Sequence, residues 1–261
     1  MTASAAAKVS FVESRENSLV KQLRQLSLHG TAYRKLGRFW VEGEHLCRAA
    51  VDRGLVPAVA VFSASTWPTA PPVWVGLAAR VVILPDAVFD EVSGLESGGG
   101  FGFLIDSSKQ QAPRPGLASV VLDRVQDPGN VGSILRSAAA FGFQQVLSLK
   151  GGAALWAQKV LRAGMGAHFA LNLVEELEVT TVLELGLPLI VTSSHHGKLV
   201  HQQELPWPCV WAFGHEGQGL CEALFSHAGF CVRIGQPGGE ESLNVAAAAA
   251  ICMHASASTH A

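Results

Sequence analysis

Two stretches near the C-terminus decide how this chain is read: Trp211-Ala-Phe-Gly-His-Glu-Gly-Gln-Gly-Leu220 and Ile234-Gly-Gln-Pro-Gly-Gly-Glu-Glu-Ser-Leu-Asn-Val245. Each follows a short apolar run, 209–213 and 230–234, with the length of a buried strand, and each leads through a glycine-rich turn into helix-forming sequence. A third stretch of the same form, Leu122-Asp-Arg-Val-Gln-Asp-Pro-Gly-Asn130 continuing through Arg136 to Gly142, lies earlier. In α/β sheets a ligand sits where strands end and loops begin, and glycine lets the backbone approach it closely. These three loops are the candidate site.

Outward from them, strand and helix alternate. Strands are expected at 119–123, 145–149, 169–173 and 189–193, and helices at 131–141, 155–162 and 179–185. Alternation of this kind predicts an α/β fold, a parallel sheet with helices on both faces. Residues 107–116, polar with two prolines and a glycine, have linker composition and mark a domain boundary. Before them a smaller α/β domain is expected. Its helices lie at 14–30 and 44–53 and its strands at 39–43, 59–62, 81–84 and 101–105, with a proline-rich loop at 67–72 and a glycine loop at 98–100. The expected domains are 1–112 and 117–261.

With 261 residues, 49% hydrophobic and 15% charged, the chain buries a sizeable core and is not disordered. A net charge of −2 excludes a polycation. Within residues 1–53, however, Lys8, Arg15, Lys21, Arg24, Arg34, Lys35, Arg38, Arg48 and Arg53 outnumber Glu13, Glu16, Glu42, Glu44 and Asp52, which suits either nucleic acid or a solvated helix face. The five scattered cysteines read as reduced thiols of a cytoplasmic protein. No signal-peptide core or spanning apolar stretch is present, so no membrane partner is expected.

In the first loop, Asp127-Pro-Gly-Asn130 is turn chemistry, with Asn130 expected to cap the next helix. Ile134, Leu135, Ala138 and Phe141 make that helix's apolar stripe, which leaves Ser133 and Arg136 on the other face. Arg136 either reaches over the site loop or is a solvated surface arginine. The turn Gly129 to Gly132 lacks the third glycine of a dinucleotide fingerprint, and Lys150 ends the next strand with no acidic residue for a ribose, which argues against a nucleotide-dependent oxidoreductase. No phosphate-binding P-loop is present, and His195 and His196 lack partners at metal spacing, so no metal is expected. Glu216 stands between glycines, where it can cap a helix or hold an arginine or ligand. Ser242 is expected as the cap of the last helix, which leaves Asn244 unexplained by capping.

Taken together, Asn130 through Arg136 to Gly142, Gly214-His-Glu-Gly217 and Ser242-Leu-Asn244 resemble the three signature motifs of the SpoU/TrmH family of RNA ribose 2′-O-methyltransferases, of the knotted SPOUT class. Residues 14–105, with Phe39-Trp-Val-Glu-Gly43, resemble the small substrate-binding domain that many of these enzymes carry. The resemblance implies a C-terminal trefoil knot, S-adenosylmethionine as methyl donor and a homodimer. It implies ribosomal RNA as the first expected substrate and tRNA as the second, with a non-catalytic RNA-binding relative as the other reading. It places the catalytic set on Arg136, Asn130, Glu216, Ser242 and Asn244, and backbone contacts to the cofactor on Gly214, Ile234 and Leu243. By this reading Glu216 and Asn130 would fix Arg136, which holds an RNA phosphate and orients the hydroxyl or also accepts its proton, while Ser242 and Asn244 shape the loop. One departure is visible: many relatives have Pro-Met after the residue equivalent to Ile234, where this chain has Gly235-Gln236.

Overall fold

The computed structural model describes residues 8–94, 99–107, 111–194, 196–238 and 242–258. Features expected at 1–7, at Gly98, across 108–110 of the linker, at His195 and at Gly239 lie outside the described residues. The chain divides into two compact units, Met1–Lys109 with Trp156–Arg162, and Gln110–Leu155 with Ala163–Ala261.

Unit 1 contains β1 (Lys8–Phe11), α1 (Ser18–Leu28), α2 (Ala32–Leu36), β2 (Arg38–Glu42), α3 (Glu44–Asp52), β3 (Val59–Ser63), α4 (Pro72–Val75), β4 (Arg80–Leu84), α5 (Asp86–Asp90) and β5 (Phe101–Asp106). Its sheet runs β1-β4-β3-β5-β2, with β1 and β3 parallel to β4 and with β5 antiparallel to β3 and β2. Helix α1 starts later than the sequence pattern suggests because the Asn17 side chain accepts from Leu19 N at 2.9 Å and caps it. Leu19, Val20, Leu23 and Leu26 then face the core. Strand β1 escaped sequence reading because it is only four residues long and mostly exposed at the edge of the sheet.

Most of the N-terminal positive charge is locally neutralised. Arg15 and Arg24 both pair with Glu91, Lys21 pairs with Glu16, Arg38 with Asp106 and Arg48 with Glu44. Glu42 is buried, accepting from Ser93 Oγ and from Gly94 N. Burial raises its carboxyl above the ordinary glutamate value, against those two hydrogen bonds and the charge of Arg162.

Unit 2 contains β6 (Ser119–Asp123), α6 (Pro128–Ala140), β7 (Gln145–Leu149), the end of α7 (Gln158–Gly164), β8 (Asn172–Leu177), α8 (Val179–Leu183), β9 (Leu189–Thr192), β10 (Lys198–Leu199), β11 (Val210–Gly214), α9 (Glu222–Ser226), β12 (Phe230–Arg233) and α10 (Val245–Ala257). Seven strands form an all-parallel sheet in the order β10-β12-β9-β11-β6-β7-β8. Strands buried on both faces read as unbroken apolar runs, which is why 209–213 carried no alternation. On one face Val210 and Ala212 join Val121, Leu147, Val174 and Val191 beneath Val182 of α8 and Leu224 of α9. On the other, Trp211 and Phe213 are fully buried, stacked 6.0 Å apart, and Trp211 Nε1 donates to Ser256 Oγ of α10 at 2.9 Å. Each such buried large side chain contributes roughly 1.5–3 kcal/mol.

Two caps differ from expectation. Asp127, not Asn130, caps α6, its carboxylate accepting from Asn130 N at 2.8 Å. Asn244, not Ser242, caps α10, its Oδ1 accepting from Ala246 N at 2.9 Å and Ala247 N at 3.3 Å. In both cases several polar residues precede the helix, and the backbone path selects which one meets the free amides.

Candidate functional site

From β6 the chain winds through β7 to β8 at one edge of the sheet, then resumes at β9 on the other side of β11. At such a reversal the loops leaving neighbouring strands diverge and open a crevice at their C-terminal ends. Here the loops after β6, β9, β11 and β12 meet. Register places Gly214 beside Asp123, so the first and second glycine-rich loops start side by side.

Side chains then tie three loops together. Glu216 accepts from Asn130 Nδ2 at 3.1 Å, and its oxygens face Gln126 N and Asp127 N at 3.5 and 3.4 Å. The carboxylate therefore sits at the amino end of α6, where free amides and the helix dipole favour an anion. Its partial burial works to raise the carboxyl, but the Asn130 amide and the backbone N–H groups outweigh this and hold it below the ordinary glutamate value. Asn130 Oδ1 in turn accepts from Asn244 Nδ2 at 2.9 Å.

The second loop is a tight hairpin. His215 N donates to Gly219 O at 3.1 Å and Gly219 N returns to His215 O at 2.8 Å. Inside the turn His215 Nδ1 accepts from Gly217 N and Gln218 N at 3.0 and 3.2 Å. A side chain at Gly214 would overlap the backbone of Gly219 and Leu220, so only glycine permits the closure. The loop is anchored by Asp123 and Arg124: Asp123 Oδ2 accepts from Cys221 N at 2.6 Å, and Arg124 Nη1 donates to Gln218 Oε1 at 2.9 Å. Burial works to raise the Asp123 carboxyl, yet the Arg124 guanidinium and the Cys221 amide together hold it below the ordinary aspartate value.

The loops after β9, β11 and β12 enclose a cavity of about 440 Å³. Of the residues expected at the site, Gly214, Glu216, Ile234, Ser242, Leu243 and Asn244 line it, and Asn130 bonds to two of them. Arg136 is exposed on α6 and makes no polar contact among the described residues, so Glu216 and Asn130 hold each other and the start of α6, not Arg136. Sequence reading missed Thr192, Ser193 and Ser194 at the end of β9 and His215, all of which line the cavity together with Gln236, where the departure from the motif was visible. The β9 residues carried no glycine signature, and their place beside β11 depends on strand order.

Residues 118–254 match the family model described as the SpoU rRNA Methylase family. An uncharacterised tRNA/rRNA methyltransferase of Synechocystis is 32% identical over 260 residues, spanning 94% of this chain and 93% of its own length. The 23S rRNA (guanosine(2553)-2′-O)-methyltransferase RlmP of Bacillus subtilis is 29% identical, spanning 93% of this chain and 97% of its own length. Among solved structures, the AdoMet-bound rRNA methyltransferase of Sinorhizobium meliloti is similar with a TM-score of 0.82 at 25% identity, covering 97% of this chain and 98% of that one.

Proposed function

This chain belongs to the SpoU rRNA methylase family, and from that premise we propose that it transfers a methyl group from S-adenosylmethionine to a ribose 2′-hydroxyl of ribosomal RNA. The observation that carries the reading is one cavity lined by the second and third loops and tied to the first through Glu216, Asn130 and Asn244. The cavity suits the cofactor. Its volume is that of a small-molecule site, it combines apolar walls from Phe213, Ile234, Leu243 and Val245 with glycine backbone, and the buried Oε1 of Gln236 has no protein partner. Gly214, Ile234 and Leu243 would hold the cofactor, which supplies a methyl group activated on a sulfonium.

A ribose hydroxyl is a weak nucleophile until its proton leaves, so the protein must orient the hydroxyl in line and assist that loss. Arg136, exposed and free of intramolecular anions among the described residues, is available to an RNA phosphate through its planar fork. There it holds the phosphate and orients the hydroxyl, and it is the group to which the departing proton can pass, a step that requires the guanidinium to lose its own proton first. Glu216, stabilised as a carboxylate by four donors, is a weak base and acts by fixing Asn130 and the start of α6. Ser242 and Asn244 shape the cavity wall from the third loop.

Unit 1 is assigned to RNA binding as part of the same reading. Since most of its N-terminal basic groups are paired, Lys8, Lys35, Arg53 and Arg80, with no ion pair among the described residues, are among the side chains available to phosphates. A homodimer is assigned as well, supported by an apolar concavity of about 370 Å³ between Phe141, Trp207, His254 and Ala257 and by exposed Ile251 on α10. A cytoplasmic location and passage of α10 through a knot belong to this proposal too. No helix among the described residues is long and apolar enough to cross a membrane.

The test is incubation of purified protein with radiolabelled S-adenosylmethionine and ribosomal RNA or tRNA, followed by mapping of alkali-resistant 2′-O-methyl sites. Label in one ribosomal RNA nucleotide is expected. Label confined to tRNA would replace the substrate, and methyl groups on bases only would overturn the reaction.

A further inference from the structure

The surroundings of Gln236 are those of a ligand contact. The residue lines the cavity two positions after Ile234, on the loop that leaves β12. Its side-chain oxygen is buried without a hydrogen-bond partner. A buried amide oxygen left unpaired is destabilising, and natural proteins tolerate few of them. None of the donors in the lining, Thr192, Ser193, Ser194, Ser242 and Asn244 among them, bonds to it; Ile234, Leu243, Val245 and Ala248 present hydrocarbon, and Glu216, the one charged side chain among the described residues lining the cavity, is an acceptor already engaged with Asn130. An acceptor inside an apolar wall is suited to a ligand that lays a flat apolar face on that wall and turns an N–H or O–H edge toward the acceptor.

We infer that Gln236 Oε1 accepts a hydrogen bond from the adenosine part of the cofactor, making Gln236 a specificity-determining residue of this chain. The inference rests on the methyltransferase reading above. It gives the polar side chain a role in the cavity wall. In the structure the oxygen has no protein partner, and in the complex it is satisfied. It also predicts opposite effects of removing it, since an apolar side chain relieves the free protein and weakens the complex.

The experiment measures binding of S-adenosylhomocysteine and of 5′-methylthioadenosine to the full chain by calorimetry, alongside thermal unfolding of the free protein, for wild type, Gln236→Met and Gln236→Glu. Gln236→Met is expected to melt no lower than wild type, yet to bind both compounds about tenfold more weakly. Gln236→Glu, which keeps acceptor oxygens, should recover part of that loss. Equal affinity of wild type and Gln236→Met overturns the inference, as does a loss confined to S-adenosylhomocysteine, which would place the contact on its amino-acid portion. A Gln236→Met protein that melts lower and binds weakly in proportion would make the role structural and also overturn it. Failure of wild type to bind either compound would instead overturn the methyltransferase reading itself.

Discussion

Asn244 Nδ2 donates to Asn130 Oδ1 at 2.9 Å, joining the first and third loops across 114 residues of sequence. Because Asn130 Nδ2 donates to Glu216 at 3.1 Å, both ends of one amide are committed and its orientation is fixed. Asn130→Asp replaces the donor with a second carboxylate facing Glu216. The affinity for S-adenosylhomocysteine should fall by about tenfold, while stability changes within about 1 kcal/mol because the site is exposed. Calorimetric titration with unchanged affinity would show that the three loops do not act together.

The hairpin at 215–219 depends on one acceptor. His215→Asn places an amide oxygen near the position of Nδ1 and should keep the turn bonds to Gly217 and Gln218, whereas His215→Leu leaves both amides facing hydrocarbon. Cofactor affinity is therefore expected to drop about tenfold in His215→Leu and to stay within about threefold of wild type in His215→Asn. If the two variants bind equally, the side chain does not order the loop.

Arg136 touches no polar group of the described protein, so its removal should have no structural effect: Arg136→Ala is expected to unfold within about 0.5 kcal/mol of wild type. Cofactor binding should persist as well. Methyl transfer in a single turnover should fall on the order of a hundredfold or more, with little recovery in Arg136→Lys, because an ammonium cannot reproduce the planar fork. A near-normal rate in Arg136→Ala would remove the residue from the catalytic centre.

His168 gives the fold a defined acid sensitivity. The ring is buried and its Nε2 lies 2.9 Å from Leu155 O, so the neutral form carries its proton there. Burial lowers its pKa from 6.5 to about 4. Between these values the unfolded chain takes up a proton that the folded chain refuses, so the contribution is complete above about pH 6.5 and is lost as pH falls toward 4, roughly 3 kcal/mol in all. His168→Gln should flatten the slope of unfolding free energy against pH by about one proton over that range, read from urea titrations. Identical slopes in the two proteins would contradict the buried neutral ring.

The architecture of the C-terminal unit and the three loops that come together beside its cavity were legible in the sequence alone. Strands covered on both faces must be apolar throughout, loops that approach a ligand need glycine, and helices start at polar caps, so all three leave local marks. What local marks do not contain is the partner of each polar side chain. Asp127 and Asn130 both suit a cap, and only the path of the backbone into α6 selects Asp127. Glu216 reads as a possible anchor for Arg136, but the pairing of β11 with β6 brings it to Asn130, 86 residues away in the chain, and to the amides at the start of α6. The positive charge of the N-terminal residues reads as a nucleic-acid surface until Glu91 is found between Arg15 and Arg24. Thr192 and Ser193 enter the site only because strand order sets β9 between β11 and β12. Backbone hydrogen bonding and hydrophobic periodicity act over a few residues and are legible one segment at a time, whereas side-chain hydrogen bonds and ion pairs form between groups brought together by the whole sheet.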